Sequence, residues 1–310
     1  MQKLRLVFAG TPAVAVPSLD RLAASSHDLV GVVTRQPAPL GRKRVLTPSP
    51  VAQAATALDV PLIEANRLDG DATARIAALE PDLGVIVAYG GLVREPLLST
   101  PVRGWINLHF SLLPAWRGAA PVQHSLIAGD TVAGASVFQL VPELDAGDVF
   151  AELRHPLQGD ETAGELLAAL AESGAGLLAD VVDAIAGGSA RAVPQAGEPS
   201  LAPKLSIDDA RLDWSLPANE VRSRFRGVTP EPGAWTTIDE QRVKVLDLGA
   251  PVGDEIPALA PGELVLSARR VLIGTGTTPL ELRRVQPAGR PAMDAGDWWR
   301  GSGRSTAVAR

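Results

Sequence analysis

Through residue 189 the chain alternates short apolar runs with stretches of helical spacing, and no other feature restricts its fold as strongly. Leu4–Ala9 reads as a buried strand that ends at Gly10, and Thr11-Pro12 then reads as the N-cap and first turn of a helix running to Leu22. Strand-like runs recur at Leu29–Thr34, Pro61–Glu64, Leu83–Tyr89 and Trp105–Phe110, with helical stretches at Pro50–Leu58 and Ala72–Leu79 between them. Strands separated by helices pair in parallel through right-handed crossovers, so the expectation is an α/β, Rossmann-like, mostly parallel sheet. Ligands of such sheets bind at the carboxyl ends of the strands, where Gly10, Tyr89-Gly90-Gly91 and Asn107–His109 fall. Thr162–Ile185 reads as one long amphipathic helix, with Gly174 and Gly176 as weak points.

The pattern changes after Gly187-Gly188-Ser189. Residues 190–206 hold Pro194, Gly197, Pro199 and Pro203 and read as a linker. Beyond it come a helical stretch to Phe225 and five alternating runs, Ala234–Ile238, Val243–Leu248, Gly262–Leu266, Val271–Gly274 and Leu280–Val285. About five short strands with turns between them suggest a small OB-like β-barrel. The expected organisation is therefore a catalytic domain at 1–189, a linker at 190–206 and a barrel domain at 207–310. Trp298-Trp299 reads as a packing anchor, and the tail from Gly301 as frayed.

Composition narrows the chemistry. With 46% hydrophobic and 21% charged residues the chain is ordinary for a globular protein. It has no cysteine, which removes disulfides, thiolate-bound zinc and thiol nucleophiles. Neither a signal peptide nor an apolar stretch of membrane-spanning length is visible, so the expectation is a cytoplasmic protein without a membrane partner. The net charge of −6 argues against nucleic acid, but its distribution softens that. From Asp209 onward 14 basic residues face 13 acidic ones, whereas the preceding part carries 15 and 22. Gly10-Thr11-Pro12-Ala13-Val14-Ala15 lacks the second and third glycines of a dinucleotide fingerprint, which disfavours a nicotinamide cofactor. His27, His124 and His155 have no neighbours at metal-ligand spacing, and no metal site is expected.

Asn107 and His109, two apart on a strand, project to one face. Downstream, Leu144-Asp145-Ala146-Gly147-Asp148 forms an acidic turn. An amide donor, an imidazole that titrates near neutrality and a carboxylate suit acyl transfer, the first two holding an oxyanion while the third charges the imidazole or relays a proton. Taken singly each has a plainer reading, since a lone histidine at a strand end is more often structural and Asp before Gly is usual turn chemistry.

The wording of this segment resembles the folate-dependent formyltransferases: Asn107-Leu108-His109, Ser111-Leu112-Leu113-Pro114, Trp116-Arg117-Gly118-Ala119-Ala120-Pro121 and Leu144–Asp148. The resemblance extends to Phe8–Pro12, to Val87-Ala88-Tyr89-Gly90 as a pterin-side loop, and beyond the linker to Ala210–Ser215, Pro232–Thr236 and Gln286–Arg290 with Met293. It implies formyl transfer from 10-formyltetrahydrofolate to the amine of methionyl initiator tRNA by a monomeric enzyme without a metal, the alternative acceptor being a small amine such as an amino sugar nucleotide. Asn107 and His109 would then hold the oxyanion, Asp145 would set the ionisation of His109 and help remove the amine proton, and Ser111, Leu112, Leu113 and Pro114 would line the folate pocket. Residues 35–49, with three prolines, a glycine and the triplet Arg42-Lys43-Arg44, read as a long exposed loop; by resemblance it contacts the acceptor end of the tRNA through Arg42, with Lys43 and Arg44 beside it. This loop is shorter than the family pattern. Arg222, Arg224 and Arg226 could face RNA phosphates or form a solvated helix face.

Overall fold

A computed structural model describes residues 2–41, 43–251 and 256–310. In chain order the elements are β1 (Arg5–Gly10), α1 (Val16–Ala23), β2 (Asp28–Thr34), β3 (Ala38–Leu40), β4 (Val45–Thr47), α2 (Pro50–Ala57), β5 (Leu62–Glu64), α3 (Gly70–Ala77), β6 (Leu83–Val87), β7 (Trp105–His109), β8 (Arg117–Gly118), α4 (Pro121–Ala128), β9 (Val132–Gln139), β10 (Val149–Pro156), α5 (Ala163–Ala186) and β11 (Leu201–Ala202). They continue with α6 (Ala218–Gly227), β12 (Trp235–Ile238), β13 (Gln241–Gly249), β14 (Glu263–Ser267), β15 (Arg270–Ile273), β16 (Leu280–Pro287), β17 (Met293–Asp294), α7 (Ala295–Ser302) and β18 (Thr306–Val308). The chain divides into two compact units, one of Met1–Pro121, Val132–Pro156 and Leu167–Ala202, the other of Val122–Thr131, Leu157–Leu166 and Pro203–Arg310.

The first unit is built on a sheet of order β10-β9-β7-β6-β1-β2-β5. β1, β2, β5, β6 and β7 run parallel, and β9 and β10 are added antiparallel. The chain winds outward from β1 through β2 to β5, then resumes on the other side of β1 with β6 and β7. That reversal makes β1 and β6 the switch point at which such sheets open a crevice. One face buries Val7, Ala9, Val33, Ile63 and Ile86 with Tyr89, Leu97, Trp105 and Ile76 of α3. On the other face Leu108 lies against Gly174 of α5, where a Cβ would stand 3.1 Å from the leucine; the glycine that weakens the helix admits the strand.

Three local expectations are corrected. Thr11 caps no helix: a 3-10 turn, Ala13–Ala15, precedes α1, and the Thr11 hydroxyl donates to the Tyr89 carbonyl at 3.0 Å. The stretch after β2 is not featureless, because β3 and β4 pair as an exposed antiparallel hairpin whose turn carries Lys43 and Arg44; Arg42 lies outside the described residues. The Tyr89 side chain, in the loop expected on the pterin side, is not open to a ligand. Its ring is 1% exposed and its hydroxyl donates to the Ala65 carbonyl at 2.6 Å.

In the second unit the strands follow the order β12-β13-β16-β15-β14-β18, with β17 on β16. Thr237 and Arg310 exchange backbone hydrogen bonds of 2.9 and 2.8 Å, closing the row into a barrel around Leu212, Trp214, Phe225, Val245, Leu282 and Trp299. The tail is therefore not frayed: β18 pairs with β14, and Ala307 and Ala309 are buried. Among the described residues no helix is long and apolar enough to cross a membrane.

Candidate active site

β7 carries Asn107 and His109 to the carboxyl end of the parallel array, with Asn107 opposite Phe138 and His109 opposite Ser136 on β9. Both side chains leave the same face of the strand, as period-two geometry requires. The two differ in what holds them. Asn107 is partly exposed, and its amide has no hydrogen-bond partner among the described residues. His109 is 6% exposed and stands edge-on to Phe138, with ring centroids 6.3 Å apart. Its Nε2 lies 2.9 Å from the Trp116 carbonyl, which can only accept, so Nε2 carries the proton. Nδ1 then faces Asp145 Oδ2 across 3.8 Å, an ion-pair distance too long for a hydrogen bond. Burial holds the imidazole below the ordinary histidine range, opposed by the Asp145 charge and the Trp116 carbonyl. At neutral pH the ring is neutral and its Nδ1 lone pair is directed at a carboxylate.

Asp145 reaches this position through a tight turn after β9. Its backbone takes the left-handed conformation at φ 46°, and Gly147, two residues on, passes so close to β9 that a Cβ would stand 1.7 Å from the Gln139 carbonyl. The carboxylate is anchored by the Gly118 N–H, which donates to Oδ2 at 2.8 Å. Gly118 itself has φ 127° and lies where a Cβ would meet the Ala202 carbonyl at 2.6 Å, so no larger residue fits beside β11.

A third piece of chain completes the frame. Gln195 donates its amide to the carbonyls of Asp145 and Gly147, both at 2.8 Å, and accepts from Arg117 Nη2 at 2.6 Å and Nε at 3.2 Å. Ser200 Oγ accepts the Trp116 N–H at 2.9 Å, and β11 pairs in parallel with β8. Through Ala202 the Pro- and Gly-rich stretch read as a linker is thus a strap of the first unit. It ties the segment bearing the histidine's acceptor to the turn bearing the aspartate. Sequence reasoning missed Gln195, Ser200 and the Trp116 carbonyl. Only the wording Trp116-Arg117-Gly118 drew attention to their neighbourhood.

Ser111–Pro114 follows β7 directly, but its polar groups are engaged within the fold. Ser111 Oγ donates to the Ala115 carbonyl at 2.6 Å, and Ser136 Oγ donates to the Ser111 carbonyl while accepting the Leu113 N–H. Ser111 and Leu113 are buried, and Leu112 and Pro114 are partly exposed. The loop can therefore offer an apolar wall. A groove between α1 and α5, lined by Ala13, Val16, Arg21, Glu172 and Gly176, contains none of the predicted site residues. Among the described residues no group of three or more histidine, aspartate or glutamate side chains could hold a metal.

An amide donor, a neutral buried imidazole and an anchored carboxylate at the end of a parallel sheet are a set suited to moving an acyl group onto an amine. Both halves of the chain match models of one family, Formyl transferase over residues 3–182 and Formyl transferase, C-terminal domain, over residues 204–303. A methionyl-tRNA formyltransferase of Leifsonia xyli subsp. xyli (strain CTCB07) is 63% identical over 300 residues, covering 97% of this chain and 98% of its own. Its counterpart in Clavibacter sepedonicus is 61% identical over 307 residues, covering 99% and 100%. The chain belongs to the methionyl-tRNA formyltransferases. Solved structures share the fold at low identity. An N-formyltransferase from Helicobacter canadensis, in complex with folinic acid and dTDP-3-aminofucose, gives a TM-score of 0.70 at 15% identity, covering 92% of this chain and 99% of that one. HypX from Aquifex aeolicus, in complex with tetrahydrofolic acid, gives 0.64 at 16%, covering 95% and 46%.

Proposed function

We propose that this protein transfers the formyl group of 10-formyltetrahydrofolate to the free amino group of methionine on initiator tRNA. The observation that carries this reading is end-to-end identity of 61–63% to methionyl-tRNA formyltransferases in a chain where Asn107, His109 and Asp145 converge. Bound 10-formyltetrahydrofolate supplies the formyl carbon, and a C–N bond to the amine replaces the bond to the donor nitrogen. The Asn107 amide, without a partner among the described residues, donates to the oxyanion that forms on the formyl oxygen. With its one N–H held by the Trp116 carbonyl, His109 does not share the oxyanion with Asn107; instead its Nδ1, beside Asp145 Oδ2, takes up the proton that the amine must release. That proton ends on the departing donor nitrogen, so no net proton is consumed. Leu112 and Pro114 form an apolar wall of the folate pocket, while Ser111 and Leu113 shape it from behind. The hairpin whose turn carries Lys43 and Arg44 meets the acceptor end of the tRNA, and Arg42, next to them in sequence, contacts it as well.

The first unit, with its strap through Ala202, serves as the catalytic domain, and the second unit, which holds residues 203–310, as the tRNA-binding domain. The enzyme acts in the cytoplasm, where its aminoacylated acceptor is found, and as a monomer. Labelled formyl transfer to methionylated initiator tRNA, with elongator tRNA and an amino sugar nucleotide as parallel acceptors, tests the reading. Transfer confined to initiator tRNA supports it, and transfer to the sugar nucleotide alone rejects it.

A further inference from the structure

Helix α6 belongs to the second unit and buries Val221, Ser223, Phe225 and Gly227. The arginines between them do not share one environment. Arg224 donates Nη1 to the Asp209 carbonyl at 2.8 Å. Arg222 and Arg226, four apart and one turn from each other, lie together on another side of the helix. Among the described residues Arg222 has neither a hydrogen bond nor an ion pair. Arg226 has one bond, from Nη2 to Ser223 Oγ at 3.3 Å, and its Nε is buried with no partner.

The nearest opposite charges do not resolve this. Asp160 and Glu161 approach Arg226, but neither forms an ion pair with it. Glu161 directs its two oxygens to the backbone N–H groups of Gln158 and Gly159, at 2.6 and 2.9 Å. Burial, then the neighbouring Arg222 charge, lowers the pKa of the Arg226 guanidinium. Two like charges at this spacing destabilise a helix, and a buried unmade N–H donor adds to the penalty. The fold keeps both arginines half-buried nonetheless. A planar guanidinium presents donors in a fork matched to tetrahedral oxoanions, and two such forks side by side match the two free oxygens of a phosphodiester.

We infer that Arg222 and Arg226 together hold a phosphodiester group of the tRNA backbone. The inference rests on the proposed tRNA substrate and extends it to named contacts in the second unit. The test is binding of methionylated initiator tRNA to the full chain across a range of salt, for the wild type, Arg222→Gln and Arg226→Lys. Each phosphate contact contributes about 0.7–1 to the slope of log affinity against log salt. Arg222→Gln is expected to reduce the slope by that amount and to raise the KM for tRNA about tenfold, the size of one charge-assisted contact, with the KM for the formyl donor unchanged. Its thermal midpoint should not fall, since removing a like charge relieves the helix, whereas loss of a structural residue would lower it. Arg226→Lys keeps the charge but loses the fork, so affinity should drop with the slope retained. An Arg222→Gln enzyme with wild-type slope and KM overturns the inference. So does inorganic phosphate that raises the wild-type midpoint while the tRNA slope ignores the substitution, because the site would then take only free anions. A wild type that neither binds nor formylates tRNA would instead reject the function itself.

Discussion

The first unit contains two buried histidines, each 6% exposed and each facing an aspartate, and they are built for opposite purposes. His27 is saturated: Nδ1 accepts the Leu4 N–H at 3.2 Å and Nε2 donates to Asp183 at 3.0 Å. It clamps the chain before β1 to the C-terminal part of α5. His109 donates Nε2–H to a carbonyl in the same way, but its other nitrogen has no donor and stands 3.8 Å from its carboxylate. Burial beside an acid does not make a histidine catalytic. What separates the pair is an unmade hydrogen bond, together with an amide on the same strand face that has no partner among the described residues. A fully bonded ring stabilises a fold; one with a lone pair directed at an anchored carboxylate can receive a proton.

Substitutions should separate the two sites in order of effect. Asn107→Ala and Asp145→Ala are each expected to lower turnover by roughly a hundred- to a thousandfold, about 3 kcal/mol of transition-state stabilisation, with the melting transition retained. Near-normal turnover in either variant would remove that residue from the chemistry. His27→Ala should do the reverse, removing about 1–3 kcal/mol of stability while turnover per folded molecule stays near wild type, because Leu4 N–H and Asp183 lose their partner. Denaturant titration with active-site counting would show it. Gln195→Ala, which cuts the strap's bonds to Asp145 and Gly147, is expected to reduce kcat about tenfold through misplacement of the aspartate. An unchanged kcat would mean that the turn needs no strap.

The smallest effect concerns pH. Burial depresses the folded-state pKa of His109, so the unfolded chain takes up this proton first as pH falls. The associated stability is complete above the unfolded value of ~6.5 and is lost as pH drops through the folded value. Denaturation midpoints measured on the acid side should therefore fall less steeply for His109→Asn than for the wild type. Equal slopes would show that the ring titrates alike in both states.

Periodicity made much of this architecture readable. The parallel strands, the long helix and the five principal barrel strands announce themselves through local spacing, because period two and period 3.6 reflect which side of one element is buried. The carboxyl-end position of Asn107 and His109 followed from the same pattern. Other features were illegible for equally physical reasons. The tail from Gly301 carries the polar, Gly- and Ser-rich composition of a frayed end, yet β18 completes the barrel with hydrogen bonds to strands far away in sequence. Tyr89 stands in a glycine-flanked loop, but its hydroxyl finds the Ala65 carbonyl and its ring fills the core. Residues 190–202 have linker composition because an extended segment without a helix or a long strand needs no periodicity, even when it is pinned by Gln195 and Ser200.

Local covalent structure and the alternation of apolar residues were enough to specify the sheet, its ligand-binding end, the barrel and the strand that presents an amide beside an imidazole. Tertiary structure alone decided that Asp145 folds back to 3.8 Å from His109, that the Trp116 carbonyl accepts the Nε2–H and that, among the described residues, Arg222 has no partner and Arg226 Nε is buried without one. The reason is range. Side-chain spacing along one element is set by backbone geometry and can be counted, whereas distances between residues 36 or 50 positions apart depend on how several elements close upon one another, and no local pattern encodes that closure.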